Sequence, residues 1–133
     1  IDIVIDYENL GKIKNELPVT KTPHLLKYEA REGEIQIDLY IPYYSNPGLP
    51  AEDLFSYSTT VAGFKTIQKE ALAVLKQKAL TNRFETIKGK KDLADLLSLW
   101  RLPDFNWEEF NKIVKKYKKI SELNFSTSLK SNL

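Results

Sequence analysis

At 133 residues the chain is long enough for one domain with a real core, with little room for a second. Hydrophobic residues make up 42% and charged residues 29%, an ordinary globular balance, and a net charge of +2 is too small to argue for nucleic acid by bulk charge. The absence of cysteine excludes disulfides, thiolate nucleophiles and Cys-based zinc sites, and a single histidine, His24, argues against a His-rich metal site or a His-based triad. Any chemistry falls to carboxylates, lysines and arginines, which points to oxygen-ligated Mg2+ or Mn2+ rather than zinc.

No run approaches the roughly 18 apolar residues of a membrane helix, and no signal-peptide pattern opens the chain. A cytoplasmic protein with no membrane partner is the default expectation. The chain opens at Ile1 inside a strand-like run, so further residues are expected upstream.

Ile1 to Asp6 (IDIVID) alternates apolar and acidic residues, the period of a half-buried strand. Tyr7 to Leu17 is polar, contains Gly11 and ends at Pro18, as a connection or a short helix would. His24–Ala30 and Glu34–Ile41 read as two strands joined by a hairpin turn at Glu32-Gly33. Pro42, Asn46-Pro47-Gly48 and Pro50 mark a loop, Ala51–Tyr57 one or two helical turns, and Val61–Ile67 a short strand interrupted by Gly63.

From Gln68 the period changes to that of a helix. Helices are expected over Gln68–Phe84 and Lys90–Arg101, the second stopped by Pro103. A third runs from Trp107 to about Lys119, with Asn106 and Glu109 in capping-box positions. The expected fold is α+β, a mixed sheet flanked by helices. Residues 1–67 form its sheet-rich core, incomplete at the N-terminus, residues 68–120 the helical part of the same domain, and 121–133 a tail.

Three features carry chemistry. Asp2 and Asp38 each sit in an otherwise apolar strand, where a buried lone carboxylate would need a partner or a metal. On neighbouring strands they could converge on one divalent cation; alternatively they line the solvent face of a sheet, where such alternation is common. Asp6 falls on the same face by parity, nearer the strand end, in a solvated position. On the next helix Leu72, Lys76, Ala79 and Arg83 share a stripe, which puts two cations near the middle of the apolar face, while Glu70, Gln77 and Lys78 point away. Lys76 could reach a phosphate with Arg83 bracing it, or both could be snorkelling or structural ion-pair residues. In KGKKDLADLLSLW, Asp92 lies at the margin of the apolar arc and faces the cations of the preceding helix, Asp95 lies just outside it, and Gly89 gives flexibility to a short basic loop.

The order of these segments resembles the AbiEii-type family of nucleotidyltransferases, within the DNA polymerase β-like nucleotidyltransferase superfamily. The matching stretches are DIVID, IQIDLYIP, EALAVLKQKAL-x-x-R and KDLADLL, from the first residues to about Trp100. In the later segment Glu70, Lys76, Ala79, Arg83, Lys91, Asp92 and Asp95 take the family's motif places. The resemblance implies transfer of a nucleoside monophosphate from an NTP with Mg2+ to an RNA or protein acceptor, and an antitoxin partner in toxin–antitoxin members. It implies that Asp2 and Asp38 are metal ligands, that Lys76 contacts the nucleotide with Arg83, and that Asp92 is the late motif aspartate. The family's Gly-Ser loop and the first Asp of its Asp-x-Asp pair would precede Ile1.

Two other function classes stay open on the sequence. One is a catalytically degenerate module that binds a nucleotide or a partner. The other is a nucleic-acid-binding module using Lys115, Lys116, Lys118 and Lys119, although a basic helix end also suits the helix dipole. Tyr40, Tyr43 and Tyr44 after the strand could stack a base or pack the rim.

Overall fold

The computed structural model describes residues 1–117. The tail expected over 121–133 lies outside the described residues. The class is α+β: among the described residues five α-helices accompany a mixed four-stranded sheet and a separate two-stranded one. The chain divides into two compact units, Ile1–Ser56 and a second that starts at Tyr57.

The first unit contains β1 (Asp2–Val4), α1 (Tyr7–Glu16), β2 (Val19–Thr22), β3 (Lys27–Glu32), β4 (Ile35–Tyr40) and the short α2 (Ala51–Leu54). Its sheet has the order β1-β4-β3-β2, with β1 parallel to β4 and the other neighbours antiparallel. Alternation in β3 sends Tyr28 and Ala30 to one face, and the register with β4 adds Ile37 and Leu39. Leu10 and Ile13 of α1 pack into the cluster that these residues form with Ile41.

The stretch Tyr7–Glu16 is a full helix, because Asp6 caps it: the Asp6 carboxylate accepts from the Asn9 N–H at 2.8 Å. Asp6 is therefore not a strand residue facing the same way as Asp2, as its parity predicts. The helix ends where Pro18 forces Leu17 into an extended conformation. β3 starts at Lys27 rather than His24, since Pro23–Leu25 forms a 3-10 turn that ends at Leu26 in the left-handed region (φ 52). The strand in front of that turn, β2, is not among the expected elements. At the β3–β4 hairpin Glu32 pairs with Ile35, so the loop residues are Gly33 and Glu34, and Gly33 supplies the positive φ of 61.

The second unit contains the hairpin β5 (Ser58–Val61) and β6 (Phe64–Ile67), followed by α3 (Lys69–Arg83), α4 (Ile87–Trp100) and α5 (Trp107–Lys116). The expected single strand over Val61–Ile67 is this hairpin, folded at Ala62 and Gly63 with both φ positive (51 and 81). Helix α3 packs against both α4 and α5. Its buried residues are Glu70, Ala71, Ala73, Val74, Gln77 and Leu80, not the stripe of Leu72, Lys76 and Ala79. The physical reason is that α3 has apolar residues on two sides, and two helical neighbours cover two different stripes.

Beside the aliphatic Leu96, Ile113 and Val114, the remaining core of this unit is aromatic. Trp100, Phe105, Trp107 and Phe110 pack with ring centroids 5.0–5.8 Å apart. Asn106 caps α5 by accepting from the Glu109 N–H at 3.0 Å, but the reciprocal half of the capping box is replaced. The Asn106 N–H donates to Glu70 Oε1 at 3.0 Å, so a buried carboxylate of α3 ties down the start of α5.

Candidate functional site

The parallel register of β1 and β4 places Asp2 opposite Asp38, on adjacent strands and the same face of the sheet. Glu29 of β3 is the antiparallel partner of Asp38, which makes a row of Asp2, Asp38 and Glu29 across three strands. Asp2 is exposed, and the Asp38 side chain retains 19% of its surface.

Both Asp38 oxygens already have a donor. Gln36 Nε2 donates to Oδ1 at 2.9 Å, and Lys27 Nζ lies 2.9 Å from Oδ2. Lys27, whose side chain is 11% exposed, also lies 3.5 Å from Glu29 Oε1, and Arg31 donates to Gln36 Oε1 at 3.1 Å. The result is one continuous polar chain, Arg31–Gln36–Asp38–Lys27–Glu29, across the outer face of β3 and β4. Burial alone would raise the Asp38 pKa; the hydrogen bond from Gln36 and the Lys27 ammonium outweigh it and hold the carboxyl below its ordinary value. Burial would likewise lower the Lys27 pKa, but Asp38, Tyr40 and Glu29 raise it overall. Tyr40 is pushed up by burial and by the negative charge of Asp2.

The residue types fit a hard divalent cation. Carboxylate oxygens such as those of Asp2 and Asp38 are the donor type that Mg2+ takes, usually one or two of them together with substrate phosphates. Among the described residues there is no grouping of three or more His, Cys, Asp or Glu side chains that could hold a metal unaided.

The second expected set lies in the helical unit and forms its own network. Arg83 Nη2 lies 2.7 Å from Asp92 Oδ2, and its Nε donates to the same oxygen at 2.7 Å. Lys76 lies 2.9 Å from Asp95 Oδ2 and 3.5 Å from Asp92 Oδ1. Asp92 sits at the centre of the buried stripe Gly89, Asp92, Leu96 and Trp100 rather than at its margin, with 4% of its side chain exposed. Burial would lower the Lys76 pKa, but Asp95 and Asp92 raise it, so Lys76 remains a cation across the physiological range.

Gly89 is not in a flexible loop. It belongs to the first turn of α4, where its N–H donates to the Thr86 hydroxyl cap at 2.9 Å. A Cβ there would overlap the Arg83 carbonyl oxygen and lie 2.9 Å from that of Phe84.

The structure thus brings Asp2 together with Asp38 in the first unit, and Lys76 and Arg83 together with Asp92 in the second. No family model, curated protein or solved structure matches this chain.

Of the remaining expected residues, Lys115 and Lys116 are exposed in the last turn of α5, and Lys118 and Lys119 lie outside the described residues. The three tyrosines separate: Tyr40 is half-buried on the Asp38 face, Tyr44 packs against the core, and Tyr43 is 90% exposed. The most consequential residue absent from the sequence reading is Lys27. Its signal was in the hairpin: a two-residue loop at Gly33-Glu34 puts Glu29 opposite Asp38, and Lys27 follows on the same face by parity.

Proposed function

We propose that the chain is a nucleotidyltransferase-like protein in which Asp2 and Asp38 hold Mg2+ or Mn2+ with the triphosphate of an NTP. The observation that carries this reading is the register of Asp2 with Asp38 on parallel neighbouring strands, which puts two carboxylates side by side on one face of the sheet. The resemblance of the segments IQIDLYIP and KDLADLL to AbiEii-type nucleotidyltransferases supports it independently of that geometry. When bound, the metal would supply positive charge to offset that of the triphosphate.

The chain's own residues supply positioning and charge. Asp38 is held in one orientation by Gln36 and Lys27. In the helical unit Asp95 and Asp92 hold the Lys76 ammonium, and Arg83 braces Asp92 from two turns further along α3. Under this reading an RNA or protein acceptor takes the nucleoside monophosphate. A toxin whose activity an antitoxin partner restrains is the corresponding biological setting.

Calorimetric titration with each NTP, with and without Mg2+, tests the proposal. Mg2+-dependent triphosphate binding is expected, and Asp38→Asn should abolish it while leaving the circular dichroism spectrum unchanged. Binding that is absent, or equally strong in Asp38→Asn, would remove the carboxylate face from consideration.

A further inference from the structure

The loop that leaves β4 treats two consecutive tyrosines in opposite ways. Tyr44 turns inward and packs against Tyr28, with ring centroids 6.0 Å apart. Tyr43 is 90% exposed, and its φ of 62 lies in the left-handed region that bulky L residues rarely adopt. Such a backbone persists only where its surroundings fix it.

Here they do. The Tyr43 N–H donates to Glu52 Oε2 at 2.8 Å, and the Ser45 N–H donates to the Ile41 carbonyl at 2.9 Å. The Ser45 hydroxyl accepts from the Ile41 N–H at 2.9 Å and donates to the Leu26 carbonyl at 2.6 Å. The Ala51 N–H closes the loop onto the Ser45 carbonyl at 3.0 Å. A strained backbone is therefore locked in place to present an aromatic ring that buries almost none of its surface. Folding gains almost no hydrophobic stabilisation from that ring, whereas a ligand would gain an aromatic face to desolvate, carried on a fixed backbone.

We infer that Tyr43 is a stacking platform for a nucleobase, an inference that rests on the nucleotide reading of the Asp2 and Asp38 face. Tyr43 follows Asp38 by five residues, at most about 18 Å of chain, on the loop directly after the strand that carries that carboxylate. A base stacks on an aromatic face whatever its identity, so the platform binds the base of an NTP without selecting it. The hydrogen bond to Glu52 serves to hold the ring's backbone in that position.

The test compares the full chain with Tyr43→Ala, Tyr43→Phe and Tyr43→Gly, titrated with Mg2+ and each of four NTPs, with inorganic tripolyphosphate as a probe that has the charge but no base. Tyr43→Ala and Tyr43→Gly are expected to weaken NTP binding about ten-fold or more, Tyr43→Phe to stay within about two-fold, and tripolyphosphate to bind all four chains alike. Tyr43→Gly should also melt at a higher temperature, since glycine removes the strain. NTP affinity unchanged in Tyr43→Ala while Asp38→Asn abolishes it would overturn the platform and leave the carboxylate site standing. Equal losses of NTP and tripolyphosphate would overturn it too, because the ring would then be acting on the phosphates. If the unaltered chain binds neither NTP nor tripolyphosphate, the nucleotide reading fails and the platform falls with it. A short single-stranded oligonucleotide whose binding alone responds to Tyr43→Ala would overturn the assignment to an NTP base.

Discussion

Gly89 occupies the first turn of α4, where glycine weakens a helix by roughly 1 kcal/mol relative to alanine. Propensity alone would make Gly89→Ala stabilising. The surroundings reverse the sign, because the added methyl would meet the carbonyls of Arg83 and Phe84, which are backbone and cannot rotate away. Overpacking of this kind typically costs about 1–3 kcal/mol. Set against the helix gain, Gly89→Ala should lower the stability by up to about 2 kcal/mol in chemical denaturation. A stabilising result would mean that α3 and α4 can separate slightly at no cost. The same contrast between local preference and surroundings applies at Tyr43, where a backbone unfavourable for tyrosine is retained around an exposed ring.

The pairing of α3 with α4 rests on a polar centre in an otherwise apolar seam. Asp92 is buried among Gly89, Leu96 and Trp100, and it accepts from Arg83 while facing Lys76. Removing one half of a fully buried pair costs about 3–5 kcal/mol. Arg83 is 41% exposed, so its freed guanidinium can reach water, and Asp92→Asn is expected to cost a smaller amount, about 1–3 kcal/mol. Urea denaturation of Asp92→Asn beside Asp95→Asn would check this. Asp95 is the more exposed partner, so its substitution should cost less, and the reverse order would contradict the burial argument. The span of α3, the start of α5, the body of α4 and the facing of Asp92 toward the preceding helix were legible in the sequence because leucine spacing and a cap define them, whereas the first turn of α4, Ile87–Gly89, reads as a loop. The buried stripe of α3 was not. Leu72, Leu75 and Ala79 compete there with Ala73, Val74 and Leu80, and only the presence of two neighbours, α4 and α5, decides what is covered. Glu70 was misplaced for the same reason, since its partner is the Asn106 N–H, 36 positions away. In the sheet, Asp2 and Asp38 were legible as acidic residues in apolar strands. That Lys27 would claim Asp38 depends on hairpin register, and β2 and β5 escaped notice because four-residue threonine-containing strands have too little alternation to register.

For the whole molecule, a net charge of +2 says nothing of the individual ion pairs, whose titration sets the expected pH limits of stability. Burial of Asp38 is outweighed by Gln36 and Lys27, so its folded pKa lies below its unfolded value. Its contribution is therefore present above the unfolded value of about 3.9 and is lost as pH falls through the folded pKa. Lys27 and Lys76 go the other way. Burial opposes their charge, their carboxylate partners win, and both folded pKa values lie above the ordinary lysine value. Their contribution is complete below about 10.4 and is lost as pH rises through the folded values. Tyr40, raised by burial and by Asp2, adds to the alkaline loss with the same sign. Melting temperature should consequently show a broad plateau between an acid limb and an alkaline limb. Asp38→Asn should cost about 1–3 kcal/mol at neutral pH and flatten the acid limb, because the variant has no carboxylate there left to protonate. Lys27→Met should shrink both limbs at once: it removes the raised lysine and also the cation that holds Asp38 low. If Lys27→Met lowers the plateau but leaves the acid limb at full height, the ammonium is not what lowers the Asp38 pKa, and the Gln36 hydrogen bond must be the larger cause.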